Sequence, residues 1–341
     1  MTNIITGYKF AEISNVVFSG IFLESQINSL DLNENVEDYI AKNEYIFIRK
    51  KSFTLFENDI IFCKTEFVYE LFNILKNFNK FKNLKLITHQ SDKSVNKKMY
   101  DLKPDCISTW YAINVDHKAK DLVPIPTGVA NFHSKNLNQK DFLNEFNKSY
   151  FIRKKKSKLY LNFNPNTNFI ERQKLLEVFN TFDWASVDNS PIDHRSYKQN
   201  LQDNSFVMAP WGNGIDTHRF WETLYSGSIP ITRSHHMYEA FESLPKLLVD
   251  DYKVITEEYL EKYLEYLNNN INLFSFEQLD FDYWKKKILD LENNIDNLNS
   301  HNFKNNKYTY YGYKVELKHY FDSKLKFFNR VRRYIYKRFG I

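Results

Sequence analysis

Residues 205–233 read Ser-Phe-Val-Met-Ala-Pro-Trp-Gly-Asn-Gly-Ile-Asp-Thr-His-Arg-Phe-Trp-Glu-Thr-Leu-Tyr-Ser-Gly-Ser-Ile-Pro-Ile-Thr-Arg, and they leave the chain few folds to choose from. The apolar run at 205–209, broken by Pro210, Gly212 and Gly214, reads as a strand entering a loop. Asp216 or Thr217 can cap the helix that follows. Phe220, Trp221, Leu224 and Tyr225 give that helix a buried face, and Gly227 suits the left-handed residue after its end. Residues 229–232 form the next strand.

A strand, a glycine loop and a capped helix N-terminus make a ready anion site, because free backbone N–H groups and the helix dipole converge on one spot. His218 and Arg219 add side-chain donors in the first turn. Glu222 lies one turn beyond His218 and three residues beyond Arg219, so the three can share a face that holds a phosphate and a sugar hydroxyl together. An ordinary surface pair between Arg219 and Glu222 is the competing reading; the glycine loop and the strand after the helix favour the site.

The run Gly-Asn-Gly-Ile-Asp-Thr-His-Arg-Phe-Trp-Glu, followed by Leu-Tyr-Ser-Gly-Ser-Ile-Pro-Ile, resembles the donor-site signature of exostosin-like (GT47-type) glycosyltransferases. The likeness covers residues 84–250. It implies an α/β chain of GT-B type, with two Rossmann-like domains and an interdomain cleft. It also implies a nucleotide-sugar donor held by the C-terminal domain, and inverting transfer that needs no metal and no further cofactor. Donor-binding residues are then expected at Arg172, Asn213, Gly214, Asp216, Thr217, His218, Arg219 and Glu222, with Glu222 accepting hydrogen bonds from the ribose.

The rest of the chain fits a layered α/β arrangement. Short apolar segments at 15–23, 45–49, 59–63, 84–88, 108–115 and 122–125 read as strands, and residues 66–78 place Val68, Leu71, Phe72 and Leu75 at helical spacing. Residues 131–156 are polar and basic, which sets a domain boundary there. The expected division is an acceptor-side domain at 1–150, a nucleotide-sugar domain at 151–300 and a basic helical tail at 301–341. In the second domain, strands are expected at 159–163, 184–187 and 247–249, with a helix from about residue 169 that carries Arg172 near its start. Arg172 has two readings: its planar fork faces the donor diphosphate, or it is a plain helix-surface arginine.

Transfer also needs a base for the acceptor hydroxyl, expected across the cleft at the C-terminal end of a strand of the first domain. Asp92 stands there as the conventional base, and His89 as base or orienter; a turn aspartate capping the next helix is the plain alternative for Asp92. Asp216 is a weaker rival, since capping already explains it. Asp280-Phe-Asp282 has the spacing of a metal-binding pair, but Asp282 capping a helix explains it better. His235 and His236 are expected to divide between buried and solvated positions.

Formal charge is +5, yet seven Lys and Arg with no acid fall in residues 324–341, so the basic character is a property of the tail. Residues 323–341 suit a helix lying on an anionic membrane surface, where a lipid-linked acceptor would be found, or one packed back across the domains. Without the tail the charge is too low for duplex binding, so no nucleic-acid partner is expected. Cys63 and Cys106 sit in apolar contexts without metal spacing and are expected to be reduced. No apolar run approaches transmembrane length, and a cytoplasmic protein, peripheral to the inner membrane face if the tail binds it, is expected. The partners are therefore a nucleotide sugar and a glycan or lipid-linked acceptor, in surface polysaccharide or glycoconjugate synthesis. The other readings are a sugar- or nucleotide-binding homologue without activity and a nucleic-acid binder using the tail.

Overall fold

The computed structural model describes residues 3–27, 30, 40–42, 45–131, 137, 139–142, 148–153, 155, 157–289 and 300–304. The tail readings at 323–341 lie outside the described residues.

The first half is built on a seven-stranded sheet. Its strands run in the order Leu122–Pro124, Ile107–Ala112, Leu84–His89, Ile60–Lys64, Val16–Leu23, Tyr45–Arg49, Ile40–Lys42. The first five are parallel, and the last two add antiparallel to the edge beside Val16–Leu23. Continuous apolar strands are what a sheet covered on both faces requires, and Ile60, Ile61, Phe62 and Cys63 are all buried. Helix Val68–Leu75 covers one face through Val68, Leu71, Phe72 and Leu75, the residues whose helical spacing marked it in the sequence. Each such side chain contributes about 1.5–3 kcal/mol by leaving water.

The second half is a five-stranded parallel sheet ordered Ala185–Val187, Ser157–Leu161, Asn204–Met208, Ile229–Arg233, Leu247–Val249. Counted along the chain this is 2-1-3-4-5, the doubly wound order, with its reversal between Ser157–Leu161 and Asn204–Met208. The first sheet departs from the expectation of two alike halves. Its parallel strands follow one another in chain order with no reversal, because the hairpin strands Ile40–Lys42 and Tyr45–Arg49 occupy the edge where a reversing strand would add. The molecule is thus a mixed α/β fold with parallel sheets, compatible with a Rossmann-like arrangement.

The chain leaves the first sheet at Pro124 and enters the second at Ser157, but it does not stay there. Helix Phe281–Leu289 returns to the first half. The Phe281 ring meets Phe10 edge-on with centroids 5.2 Å apart, Lys85 Nζ donates to the Ile288 carbonyl at 2.7 Å, and Phe281 N–H donates to the Asn3 carbonyl at 2.7 Å. Strand Ser300–Lys304 then pairs antiparallel with Ser52–Phe56. Residues 281–289 and 300–304 thus pack against the first half after the chain has passed through the second sheet. Asp280, rather than Asp282, accepts the helix-start N–H, that of Asp282, at 2.9 Å. No helix among the described residues is long and apolar enough to cross a membrane.

Candidate functional site

In sheets of this kind ligands gather beyond the carboxyl ends of the strands where the strand order reverses. A cavity of about 800 Å³ lies there. From the second half it is lined by Asn162 and Asn164 beyond strand Ser157–Leu161, by Gly212, Asn213 and Gly214 beyond strand Asn204–Met208, and by the start of helix His218–Tyr225. From the first half it takes Lys64 and Glu66 at the end of strand Ile60–Lys64 and His89 to Asp92 at the end of strand Leu84–His89. All ten residues expected at the site line it, so sequence positions more than a hundred apart meet in one space.

Helix His218–Tyr225 buries every residue from Phe220 to Tyr225, and it presents His218, Arg219 and the buried Glu222 to the cavity wall. Gly227 closes the helix in the left-handed region at φ +69°, as its position suggests. Thr217 is the N-cap, but its side chain makes no capping bond, and its Oγ1 is buried without a hydrogen-bond partner among the described residues. Arg219 Nε is buried and unpartnered in the same way. Its guanidinium lies over Tyr197 at 5.3 Å and Phe163 at 5.9 Å, so rings hold the cation in place, with no carboxylate in ion-pair contact among the described residues. A buried donor without a partner is costly, and these two stand beside one helix N-terminus in residues that line the cavity.

Glu222 is buried and accepts the Tyr197 hydroxyl at 2.8 Å. Burial pushes its carboxyl above the usual carboxylate range, opposed by the Arg219 guanidinium and by His218. His218 donates from Nδ1 to the Gly128 carbonyl at 2.7 Å. Asp216 ties the halves together rather than capping the helix. Its Oδ2 accepts the Thr127 N–H at 2.7 Å, its carboxylate accepts Trp221 Nε1 at 2.9 Å, and its own N–H donates to Asn114 Oδ1 at 2.8 Å. Burial pushes that carboxyl up to about 7.

Arg172 settles differently from its diphosphate reading. Nε donates to the Trp211 carbonyl (2.9 Å), Nη1 to the Asn164 carbonyl (3.1 Å) and to Thr167 Oγ1 (2.7 Å), and Nη2 to the Pro210 carbonyl (2.8 Å). Of the five N–H groups of a guanidinium one is left over, so Arg172 is mainly a clamp on the glycine loop. Burial, with Arg219 nearby, pushes it down to about 10.

His89 is corrected as a base. Its Nδ1 accepts the Gln90 N–H at 2.7 Å and its Nε2 faces the Pro126 carbonyl at 3.2 Å, so the proton sits on Nε2 and no lone pair is free. The ring stacks on Phe10 at 5.3 Å, and burial pushes it down to about 3, opposed by the Pro126 contact and helped by His218. Asp92 is exposed at the cavity, where Asn213 Nδ2 donates to its Oδ2 at 3.1 Å. His235 and His236 are both half-buried, their rings tilted against each other with centroids 4.2 Å apart, and His235 Nε2 lies 3.2 Å from Asp116 Oδ1.

Asn114 was not legible in the sequence. It adopts φ +52°, a region that asparagine tolerates better than most residues, and holds both Asp216 N–H and the Ser91 carbonyl (2.9 Å). A Cβ on Gly214 would stand 2.7 Å from Asn114 Oδ1. Because that amide is fixed on both sides, Gly214→Ala is expected to cost about 1–3 kcal/mol, measured by urea unfolding; unchanged stability would show that the halves separate freely there.

No protein-family model and no curated protein matches the chain. Among solved structures, one described as the crystal structure of the GtfA/B complex is similar at 10% sequence identity and a TM-score of 0.31, over 70% of this chain. The match spans 55% of that chain, about half its length. The reading of the site therefore rests on its own geometry.

Proposed function

We propose that this chain is a glycosyltransferase that holds a nucleotide-sugar donor against helix His218–Tyr225 and passes the sugar to a hydroxyl of a glycan or lipid-linked acceptor. One observation carries the reading: Thr217 Oγ1 and Arg219 Nε are buried without partners at a helix N-terminus, beside the buried carboxylate Glu222, in a cavity at the reversal of a doubly wound sheet. An anion next to hydroxyls is the ligand that satisfies all three groups. The exostosin-like motif at 212–222 supports a nucleoside diphosphate joined to a sugar.

In the reaction, the acceptor oxygen attacks the anomeric carbon from the first-half side with inversion, and the bond from that carbon to the phosphate oxygen breaks. The electron pair leaves on the diphosphate, where Arg219, Thr217 and the helix amides spread the charge without a metal. The acceptor proton passes to Asp92, on the opposite wall of the cavity. Glu222 receives ribose hydroxyls. Surface glycan synthesis is the setting we assign, at the cytoplasmic face of the membrane.

Arg219→Ala is expected to weaken UDP or GDP binding about 10- to 100-fold, the range for charge-assisted hydrogen bonds to phosphate, with the thermal midpoint little changed. Calorimetric titration measures it. Equal affinity in wild type and variant removes Arg219 from the site.

A further inference from the structure

We infer that Asn213 is a positioning residue for Asp92: its amide, carried by the loop that leads into the anion-binding helix, holds the carboxylate across the cavity, so that donor loop and base are set together. The inference rests on the transferase reading, and it gives Asn213 a role other than direct donor contact.

The two partners are each built onto a fixed turn. On the loop, Gly212 N–H donates to the Gly214 carbonyl at 3.0 Å, Arg172 clamps the Pro210 and Trp211 carbonyls, and Asn114 holds Asp216 N–H. The loop is anchored on both sides of Asn213, whose own side chain is exposed and points its Nδ2 at Asp92 Oδ2, 3.1 Å away. On the first half, Gln90 takes the left-handed region at φ +58°, and the Ser91 carbonyl is held by Asn114 Nδ2 at 2.9 Å. Ser91 Oγ also accepts the Lys93 N–H at 3.0 Å. Asn114 thus braces the turn before Asp92 and the loop after Asn213 with one side chain.

A general base needs a charged carboxylate with one oxygen free and its plane fixed. Donation from Asn213 to Oδ2 fixes the plane, while Oδ1 keeps no protein partner among the described residues. The Arg172 guanidinium from the second half acts on this carboxylate, and Lys64, Glu66, Asp216, Arg219 and Glu222 are the other charged groups around the cavity. His194 and His218 are the titratable rings on the same wall as Arg219.

The test is the rate of nucleoside diphosphate release from a nucleotide-sugar donor in the presence of acceptor. Asn213→Ala is expected to lower kcat about 3- to 10-fold while the affinity for UDP or GDP stays within about twofold. Asn213→Gln, which keeps an amide, is expected to recover part of that loss. Asn213→Ala combined with Asp92→Asn is expected to be no slower than Asp92→Asn alone, because the amide acts through that carboxylate. A merely structural asparagine would move the unfolding midpoint and slow the double variant further. An unchanged kcat in Asn213→Ala, or losses that multiply in the double variant, overturns the inference. Failure of the transferase reading shows separately, as no binding of UDP or GDP by the wild-type chain in the same buffers.

Discussion

Asp92→Asn is expected to slow sugar transfer about 10²- to 10⁴-fold, the usual contribution of a general base, while leaving the affinity for the nucleoside diphosphate within about twofold. The substitution keeps the shape of the side chain and an oxygen able to accept from Asn213, so the loop contact at 3.1 Å survives while the proton acceptor is lost. Release of nucleoside diphosphate from the donor, in the presence of acceptor, measures it. Undiminished turnover would move the base to Glu66, which shares the first-half wall and is paired with Lys64 at 2.5 Å. His89 is no rival, since both its ring nitrogens are engaged and its ring is buried against Phe10.

Arg172→Ala carries the largest expected loss of stability. Its guanidinium holds three main-chain carbonyls and the Thr167 hydroxyl, and lies over the Phe163 ring at 5.4 Å. Removing it takes the guanidinium donor from the buried Pro210 carbonyl, leaves the Trp211 and Asn164 carbonyls only Asn168 Nδ2 and Thr167 Oγ1, and opens a void beneath the glycine loop. The expected cost is about 2–4 kcal/mol, seen as a drop of roughly 5–15 °C in the thermal midpoint. Nucleotide affinity is expected to fall with it, because the loop that precedes the anion-binding helix loses its support. Arg219→Ala gives the opposite pattern, with binding lost and stability kept. If Arg172→Ala melts like wild type but fails to bind nucleotide, its direct contact with the diphosphate is restored.

The parts of this architecture that are coded locally were readable from the chain. Helix His218–Tyr225 advertises its buried face by residue spacing and its end by Gly227, and helix Val68–Leu75 does the same. Residues 212–222 meet the first-half turn at 89–92 because both follow the carboxyl ends of parallel strands, a rule that needs only a correct list of strands. What failed was set by contacts between distant segments. The imidazole of His89 loses its basicity to burial against Phe10, which is no neighbour in sequence. Arg172 finds carbonyls 38 and 39 positions away, and nothing in the helix that carries it tells a phosphate ligand from a loop clamp. Asn114 sits at φ +52° between two strands with no glycine or proline to mark the turn. The return of helix Phe281–Leu289 to the first sheet follows from packing on Phe10 and Lys85, which no periodicity encodes.

The central claim is that the unpartnered donors beside Glu222 are a diphosphate seat, and a crystal structure with a bound nucleoside diphosphate tests it most directly. The account predicts phosphate oxygens within hydrogen-bond reach of Arg219 and Thr217 Oγ1 and ribose hydroxyls on Glu222. A nucleotide seated elsewhere, with Thr217 and Arg219 still unpartnered, would contradict it.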